Sequence, residues 1–192
     1  MKTSQKTRAV FLDRDGVLTK RPHPTWKKSQ LRLQDGVATF IRLLNKRKIP
    51  VIVVTNQGGV VARCLISPEG VEKLHKILET RLKGYGAHIS HFYFCPHHPK
   101  GTIAKYRKKC SCRKPKIGMF KRAEKDFSIN LKKSVIIGDM TQDIFAGEKA
   151  GIKTILLDKG HRGRDGKYKV APDYKAKNFK AVKLFLSKQG FL

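Results

Sequence analysis

The sequence predicts an α/β fold, a parallel sheet with helices on both faces. Short apolar runs alternate along the chain with longer stretches whose apolar residues recur at helical spacing. This alternation is typical of strands joined by crossover helices, which makes the sheet parallel. The length of 192 residues suits one domain, so we expect a single domain over residues 1–192. No insertion long enough for a large cap domain is visible.

Five apolar runs are the predicted strands. The run over residues 9–12 ends at acidic residues, and the run over 51–54 is β-branched and apolar throughout, as in a buried central strand. Three further strands are predicted over residues 89–94, 134–137 and 154–157. Their short lengths and apolar character suit the middle of a sheet that is covered on both faces.

The predicted helices lie between and after these strands. Val37, Phe40, Ile41 and Leu44 fall on one helical face, and Ser67 with the following proline is typical of a helix start. Glycine at position 151 stops a later helix. The predicted helices cover residues 36–48, 68–82, 117–127, 143–150 and 178–188.

Basic residues dominate the composition. Lysine and arginine number 43 against 14 acidic residues, a net charge of +29, which attracts anionic substrates and polyanions. The basic residues are spread along the whole chain, which favours a generally basic surface, but a nucleic-acid partner stays an open alternative. The longest apolar run, 49–54, is too short to span a bilayer. We expect a cytoplasmic monomer with no membrane partner.

Acidic residues follow two of the predicted strands. Asp13 and Asp15 come after the first strand, and Asp139 follows the fourth. The carboxyl ends of parallel strands form the binding edge of such a sheet, so these side chains should converge. A carboxylate can attack the phosphorus of a phosphate monoester, with Mg²⁺ reducing the repulsion between the two anions. A second carboxylate can protonate the leaving oxygen and then activate water.

Three further motifs suit phosphate chemistry, although each alone also fits an ordinary turn or surface. The segment 55–59, Thr-Asn-Gln-Gly-Gly, follows the second strand and offers a hydroxyl, amides and exposed backbone N–H groups. Arg113 and Lys114 are adjacent cations at the end of a long loop. Asp143 lies one helical turn after Asp139, where it braces the site or caps a helix.

Together, the order and strand-end positions of these motifs resemble the haloacid dehalogenase superfamily over nearly the whole chain. The resemblance implies a Rossmann-like core with Asp13 as nucleophile and Asp15 as general acid and base. Thr55 would bind the transferring phosphoryl group and Lys114 would neutralise it. Asp13, Asp15 (through its carbonyl) and Asp139 would hold Mg²⁺.

Cysteine and histidine residues form two close pairs around the long loop. Cys95 and His97 lie before it, and Cys110 and Cys112 lie after it. Three thiolates and an imidazole match tetrahedral Zn²⁺, and a cytosolic chain would not normally bridge its cysteines. We therefore expect a small, structural zinc-binding loop. His98 is an alternative to His97, and unrelated buried thiols are the competing interpretation.

The segment Cys-Pro-His-His-Pro at 95–99, with Cys-Ser-Cys-Arg-Lys-Pro at 110–115, resembles the D-glycero-D-manno-heptose 1,7-bisphosphate 7-phosphatases. These act in heptose synthesis for lipopolysaccharide. By this resemblance Arg113 would touch the sugar phosphate, and Asn56 and Gln57 would line the pocket. Gly58 and Met140 depart from the pattern, which usually has serine and often lysine there.

Three alternatives stay open for the function. Histidinol-phosphate phosphatases share these motifs, typically with a shorter loop between the two pairs of zinc ligands. The strong positive charge suggests two others: a phosphatase acting on nucleic-acid ends, and a nucleic-acid-binding protein on an inactive phosphatase scaffold.

Overall fold

A six-stranded parallel sheet forms the centre of the computed structural model, which describes residues 6–20 and 25–192. The strands lie in the order β3-β2-β1-β4-β5-β6, and every neighbouring pair is parallel. Their bounds are β1 Val10–Leu12, β2 Val51–Asn56, β3 His91–Cys95, β4 Val135–Gly138, β5 Lys153–Leu157 and β6 Tyr174–Ala176.

Six α-helices connect and cover these strands in the described part of the chain. Their bounds are α1 Val37–Lys46, α2 Gly58–Val61, α3 Pro68–Lys83, α4 Gly118–Asp126, α5 Thr141–Ala150 and α6 Phe179–Lys188. None of them is long and apolar enough to cross a membrane.

Alternate strand residues divide the core into two layers, one on each face of the sheet. Val10 and Leu12 pack with apolar residues of α1, α3 and α6, whereas Phe11 packs with those of α4 and α5. Because side chains of a strand point to opposite faces in turn, this division places helices on both faces. The predicted fold class is therefore confirmed.

The predicted elements are present with ends displaced by a few residues, but one short α-helix and one short strand were not predicted. Helix α2 spans four residues and opens with two glycines, so its sequence reads as a turn. Strand β6 is three residues long and pairs with β5 alone at the sheet edge. Neither segment is long enough to show a periodic pattern.

The register of the three central strands fixes where the polar residues emerge. Leu12 is paired with Val53 on one side and with Ile137 on the other. The N–H of Asp13 still donates to the carbonyl of Ile137, at 3.0 Å, so the ladder continues to the first acidic residue. The loops after β1, β2 and β4 therefore leave the sheet side by side.

Candidate active site and metal sites

Three buried carboxylates meet at the carboxyl edge of the sheet. One oxygen each from Asp13, Asp139 and Asp143 lies within 4.8 Å of the others. Asp13 follows β1, Asp139 follows β4, and Asp143 lies in the first turn of α5. The side chain of Asp143 thus belongs to the group, whereas the carboxylate of Asp15 lies outside it.

The ammonium group of Lys114 lies among these carboxylates. Its Nζ is 2.9 Å from Oδ1 of Asp13 and 2.7 Å from Oδ1 of Asp143, and it donates to the carbonyl of Val54 at 2.7 Å. Burial would lower the pKa of Lys114, but the two carboxylates outweigh it and raise the pKa above its usual range. Lys114 is therefore a permanent cation in contact with the predicted nucleophile.

The donor set suits a divalent cation such as Mg²⁺. Three carboxylates face one ammonium, so two negative charges are left over when all of these groups are ionised. Hard oxygen donors with excess negative charge are what Mg²⁺ takes in proteins. Burial raises the pKa of Asp143, the Lys114 ammonium opposes the rise, and the Asp13 carboxylate adds to it. A bound cation would favour the ionised form.

Gly16 allows the loop after β1 to approach this group closely. Its φ of +90° lies in the region that side chains rarely adopt. A Cβ atom at this position would lie 2.4 Å from Oδ2 of Asp139, which is too close for any side chain. The carboxylate of Asp139 accepts a hydrogen bond at 2.7 Å from the backbone N–H of His161.

Asp15 faces a buried arginine instead of the carboxylate group. The guanidinium of Arg14 donates from Nε to Oδ1 of Asp15 at 3.2 Å and from Nη2 to Oδ2 at 2.8 Å. Gln57 donates to the same carboxylate at 2.9 Å and to the hydroxyl of Thr55 at 2.8 Å. Burial would raise the pKa of Asp15, but Arg14 and these hydrogen bonds hold it below its usual range.

Asn56 connects the second strand to the segment that carries Lys114. Its side-chain amide donates to the carbonyl of Lys114 at 3.0 Å, and its side-chain oxygen accepts the N–H of Lys114 at 3.0 Å. The same amide donates to Gln142 at 3.2 Å. Asn56 therefore holds the backbone of Lys114 in place, while the Lys114 side chain reaches the carboxylates.

The predicted zinc ligands form a second cluster. Sγ of Cys95, Cys110 and Cys112 are 3.2 to 3.5 Å apart, and Nδ1 of His97 is 3.4 Å from Sγ of Cys112. Thiolates that bind one Zn²⁺ tetrahedrally at 2.3 Å are about 3.8 Å apart, so the cluster is slightly tighter than a metal site. The sulfurs are too far apart for a disulfide. Nδ1 of His98 accepts the N–H of Lys100, outside the cluster.

The thiols of this cluster shift one another's pKa values. The hydrogen-bond contact between Cys95 and Cys112 lowers the pKa of Cys112 to about 5, and the same contact, with burial, raises the pKa of Cys95. Three sulfurs this close repel one another when they are ionised. A cation that replaces the thiol protons removes this repulsion. The donor types and their spacing therefore fit Zn²⁺.

Helix α2 packs directly against the cysteine-containing loop. A Cβ atom at Gly58 would lie 2.0 Å from the carbonyl oxygen of His97. Arg113, the residue after the last cysteine, donates to the same carbonyl at 3.1 Å. The carbonyl of His97 is thus held between Gly58 and Arg113.

Sequence reasoning missed three residues that shape the site. Arg14 belongs to the first motif but was given no role, although it is fully buried against Asp15. Asp165 accepts hydrogen bonds from the backbone N–H and the hydroxyl of Thr141, both at 2.8 Å. With His161 it fastens the loop after β5 to the start of α5. That loop has no periodicity or motif, so no sequence signal indicated it.

Comparison with known proteins assigns the chain to a protein family. Residues 111–182 match the HAD-hydrolase-like family model. The D-glycero-β-D-manno-heptose-1,7-bisphosphate 7-phosphatase of Rhodopseudomonas palustris is 40% identical over 144 residues, covering 75% of this chain and 79% of that protein. The corresponding α-anomer phosphatase of Photorhabdus laumondii is 35% identical over 157 residues, covering 81% and 85%.

A solved structure has the same fold. The D,D-heptose 1,7-bisphosphate phosphatase of B. bronchiseptica, complexed with magnesium and phosphate, superposes with a TM-score of 0.83. It is 24% identical in sequence, and the match covers 95% of this chain and 99% of that one. With this fold and the sequence identity to the two relatives, the chain belongs to the D-glycero-D-manno-heptose-1,7-bisphosphate 7-phosphatase family of HAD-like hydrolases and is a HAD-type phosphatase.

Proposed function

We propose that this protein removes the 7-phosphate of D-glycero-D-manno-heptose 1,7-bisphosphate through a phosphorylated aspartate. The observation that carries the proposal is the contact between Asp13 and Lys114 within a group of three buried carboxylates. This group combines a nucleophile, a fixed cation and oxygen ligands for Mg²⁺. The names of the two relatives supply the substrate class.

Asp13 is the proposed nucleophile. Its carboxylate attacks phosphorus, the bond from phosphorus to the sugar oxygen breaks, and an acyl phosphate forms on Asp13. Water then attacks this phosphorus, which releases inorganic phosphate and restores the carboxylate. Lys114 holds one oxygen of Asp13 at 2.9 Å and offers positive charge to the phosphoryl oxygens.

Mg²⁺ is the proposed cofactor of this step. Asp13, Asp139 and the backbone carbonyl of Asp15 are its proposed ligands, and Asp143 is a further candidate because its side chain lies in the same group. When bound, the ion offsets the charge of the phosphoryl oxygens. Lys114 also pairs with Asp143, so the ammonium and the cation balance the same set of carboxylates.

Asp15 is the proposed proton carrier. It gives a proton to the leaving sugar oxygen and later takes one from the attacking water, so its proton count is restored in each cycle. The low pKa produced by Arg14 and Gln57 favours the ionised carboxylate, which suits the second step. For the first step, in which it gives a proton, Asp15 has to leave its contacts with Arg14 and Gln57 and contact the substrate instead.

Thr55, Asn56, Gln57 and Arg113 are the proposed substrate contacts. The hydroxyl of Thr55 lies at the end of β2 and is held by Gln57, ready to donate to a phosphoryl oxygen. Zn²⁺, held by Cys95, His97, Cys110 and Cys112, is proposed to fix the loop that delivers Arg113 and Lys114.

Phosphate release from a substrate panel tests the proposal. The panel contains both anomers of heptose 1,7-bisphosphate, histidinol phosphate and a 3′-phosphorylated oligonucleotide, each with and without Mg²⁺. We expect a strong Mg²⁺-dependent preference for one bisphosphate anomer. Preference for histidinol phosphate or for the oligonucleotide would contradict the proposed substrate.

Replacing Asp13 by Asn tests the mechanism separately. We expect the variant to fold, as judged by circular dichroism, and to lose turnover. The control is Asp35→Asn, because the Asp35 side chain is 83% exposed and pairs only with Lys20 among the described residues. Undiminished turnover in the Asp13 variant would refute the covalent mechanism.

A further inference from the structure

The segment from Asp139 to Asp143 supplies two of the three carboxylates of the proposed metal site. It runs from the end of β4 into the first turn of α5, where backbone N–H groups have no partner within the helix and need other acceptors. Met140, the residue before the helix, makes no side-chain capping hydrogen bond. Contacts from another part of the chain therefore have to hold this segment.

Asp165, in the loop after β5, supplies the missing cap. Its Oδ1 accepts the backbone N–H of Thr141 at 2.8 Å, and its Oδ2 accepts the Thr141 hydroxyl at 2.8 Å. A carboxylate at the start of a helix is also favoured by the helix dipole. Because Thr141 lies midway between Asp139 and Asp143, one side chain fixes the residue between two of the carboxylates.

The same loop also contacts Asp139 directly, through two backbone N–H groups. The N–H of His161 donates to Oδ2 of Asp139 at 2.7 Å, and the N–H of Gly163 donates to the carbonyl of Asp139 at 2.8 Å. One bond orients the carboxylate and the other holds the backbone that carries it. The position of the loop therefore determines the position of Asp139.

Hydrogen bonds, and not apolar packing, have to hold this loop. Residues 158–167 include no apolar side chain, so burial of apolar surface contributes little. The φ of Arg162 is +56°, which is unfavourable for a residue with a side chain. Its ion pair with Asp158, at 3.6 Å, is exposed on both sides and contributes little. The pair of hydrogen bonds to the Asp165 carboxylate is therefore the main anchor, since charged acceptors form the stronger hydrogen bonds.

We propose that Asp165 is a positioning residue for the proposed Mg²⁺ site. By fixing Thr141 and the loop that contacts Asp139, it holds the carboxylates of Asp139 and Asp143 in the arrangement that binds the cation. Asp165 is not itself one of the grouped carboxylates. The inference rests on the proposed function, because it needs a cation at Asp139. It makes the affinity for this cation depend on a side chain outside the metal site.

Direct measurement of metal binding tests the inference without any substrate. Mn²⁺ is the probe, because the free ion gives an electron paramagnetic resonance signal that is lost on binding, and Mg²⁺ is then added to compete with it. We expect Asp165→Ala to raise the Kd of Mn²⁺ by roughly tenfold. Asp165→Asn keeps one acceptor oxygen and should raise it less. Activity that Asp165→Ala loses should return as Mg²⁺ is raised, so the change lies in the Mg²⁺ requirement and not in kcat.

Two variants serve as matched controls. Asp173 accepts the N–H and the hydroxyl of Thr154, both at 2.7 Å, near the amino end of β5 and away from the binding edge of the sheet. Asp173→Ala therefore loses the same charge and the same kind of contact. Asp158→Ala removes an exposed charge from the loop that carries Asp165. Both controls should bind Mn²⁺ with wild-type affinity, and thermal unfolding without metal reports on the fold of each variant.

Wild-type affinity for Mn²⁺ in Asp165→Ala would overturn the inference, and so would an equal loss in either control. If the alanine variant does not fold, Thr141→Val removes the hydroxyl contact alone, and unchanged affinity there would overturn the inference equally. Asp139→Asn separates this failure from a failure of the proposed function. If it binds Mn²⁺ as tightly as wild type, the proposed metal site and the inference fail together. If it loses binding while Asp165→Ala does not, the inference alone fails.

Discussion

Asp13 and Asp15 are two residues apart, yet their surroundings give them different chemistry. Asp13 contacts Lys114, whereas Asp15 is enclosed by Arg14 and Gln57. Each carboxylate therefore contacts a different cation. Environments that separate two neighbouring carboxyl groups are a common basis for dividing nucleophile and proton carrier between them.

Replacing Arg14 by Gln should move the acidic limb of the pH profile. The folded-state pKa of Asp15 is lowered, so its carboxylate form is present above that pKa and is lost as the pH falls through it. Without the guanidinium the pKa rises, and the acidic limb of kcat, which includes the hydrolysis step in which Asp15 acts as base, should move up by about one to three pH units. Activity measured across pH values checks this.

Arg14→Lys is the conservative comparison for this experiment. It keeps the charge but loses the two-pronged contact with Asp15, so the limb should move less than in the glutamine variant. Thermal unfolding of both variants shows whether the fold survives, since removing one partner of a buried ion pair costs about 3–5 kcal/mol. If the folded Arg14→Gln variant kept its acidic limb at the wild-type pH, Arg14 would not be the group that lowers the pKa of Asp15.

At the scale of elements, helix α2 and the cysteine-containing loop are closely packed. Gly58 leaves no space for a side chain against the carbonyl of His97, whereas a Cβ at Gly59 would meet nothing within 4 Å. Gly58→Leu should therefore displace His97 and weaken metal binding, while Gly59→Leu should not. Transfer of zinc to a chromogenic chelator, followed over time, measures the difference. Equal rates for the two variants would contradict the packing argument.

Loss of the metal should reduce activity through Lys114. Cys110→Ser removes one proposed zinc ligand, and Lys114 follows Cys112 by two residues. Because small displacements of a positioned group lower rates strongly, we expect kcat to fall by up to about a hundredfold. Cys64→Ser is the control, since Cys64 is exposed and outside the cluster. Full activity in a zinc-free Cys110 variant would separate the loop from catalysis.

The sequence predicts best what depends on strong local patterns. The central strands are continuous apolar runs that end at acidic residues, so both the sheet and the convergence of Asp13 and Asp139 follow from the sequence. The partners of Asp15 do not follow, because the contact with Gln57 spans 42 positions and depends on the exit angles of two loops. The loop anchored by Asp165 is likewise set by tertiary contacts alone.

At the scale of the whole molecule, the excess of positive charge lies outside the proposed active site. Four of the 14 acidic residues, Asp13, Asp15, Asp139 and Asp143, are buried at the site, so the surface holds even fewer carboxylates than the composition suggests. An anionic substrate therefore approaches through a positive field.

The rate of substrate capture should depend on salt. Raising the salt concentration from 0.01 to 1 M shortens the screening length from about 30 to about 3 Å. We expect kcat/KM for a bisphosphate to fall more steeply over this range than for p-nitrophenyl phosphate, which carries less charge. Steady-state kinetics at constant free Mg²⁺ checks this. Equal slopes would show that the field of the molecule does not guide the substrate.

The hydrogen bonds between the Asn56 side chain and the backbone of Lys114 also bear on how this family can diversify. Both ends of the intervening segment are fixed independently, Cys95 by strand β3 and Lys114 by the two hydrogen bonds that its backbone shares with the Asn56 side chain. Insertions or deletions within residues 107–109, outside the hydrogen bonds that hold Thr102 and Ile103 to Ala62, can therefore accumulate without moving the ammonium group. Changes of length there can alter the substrate preference while the hydrolytic chemistry is inherited unchanged.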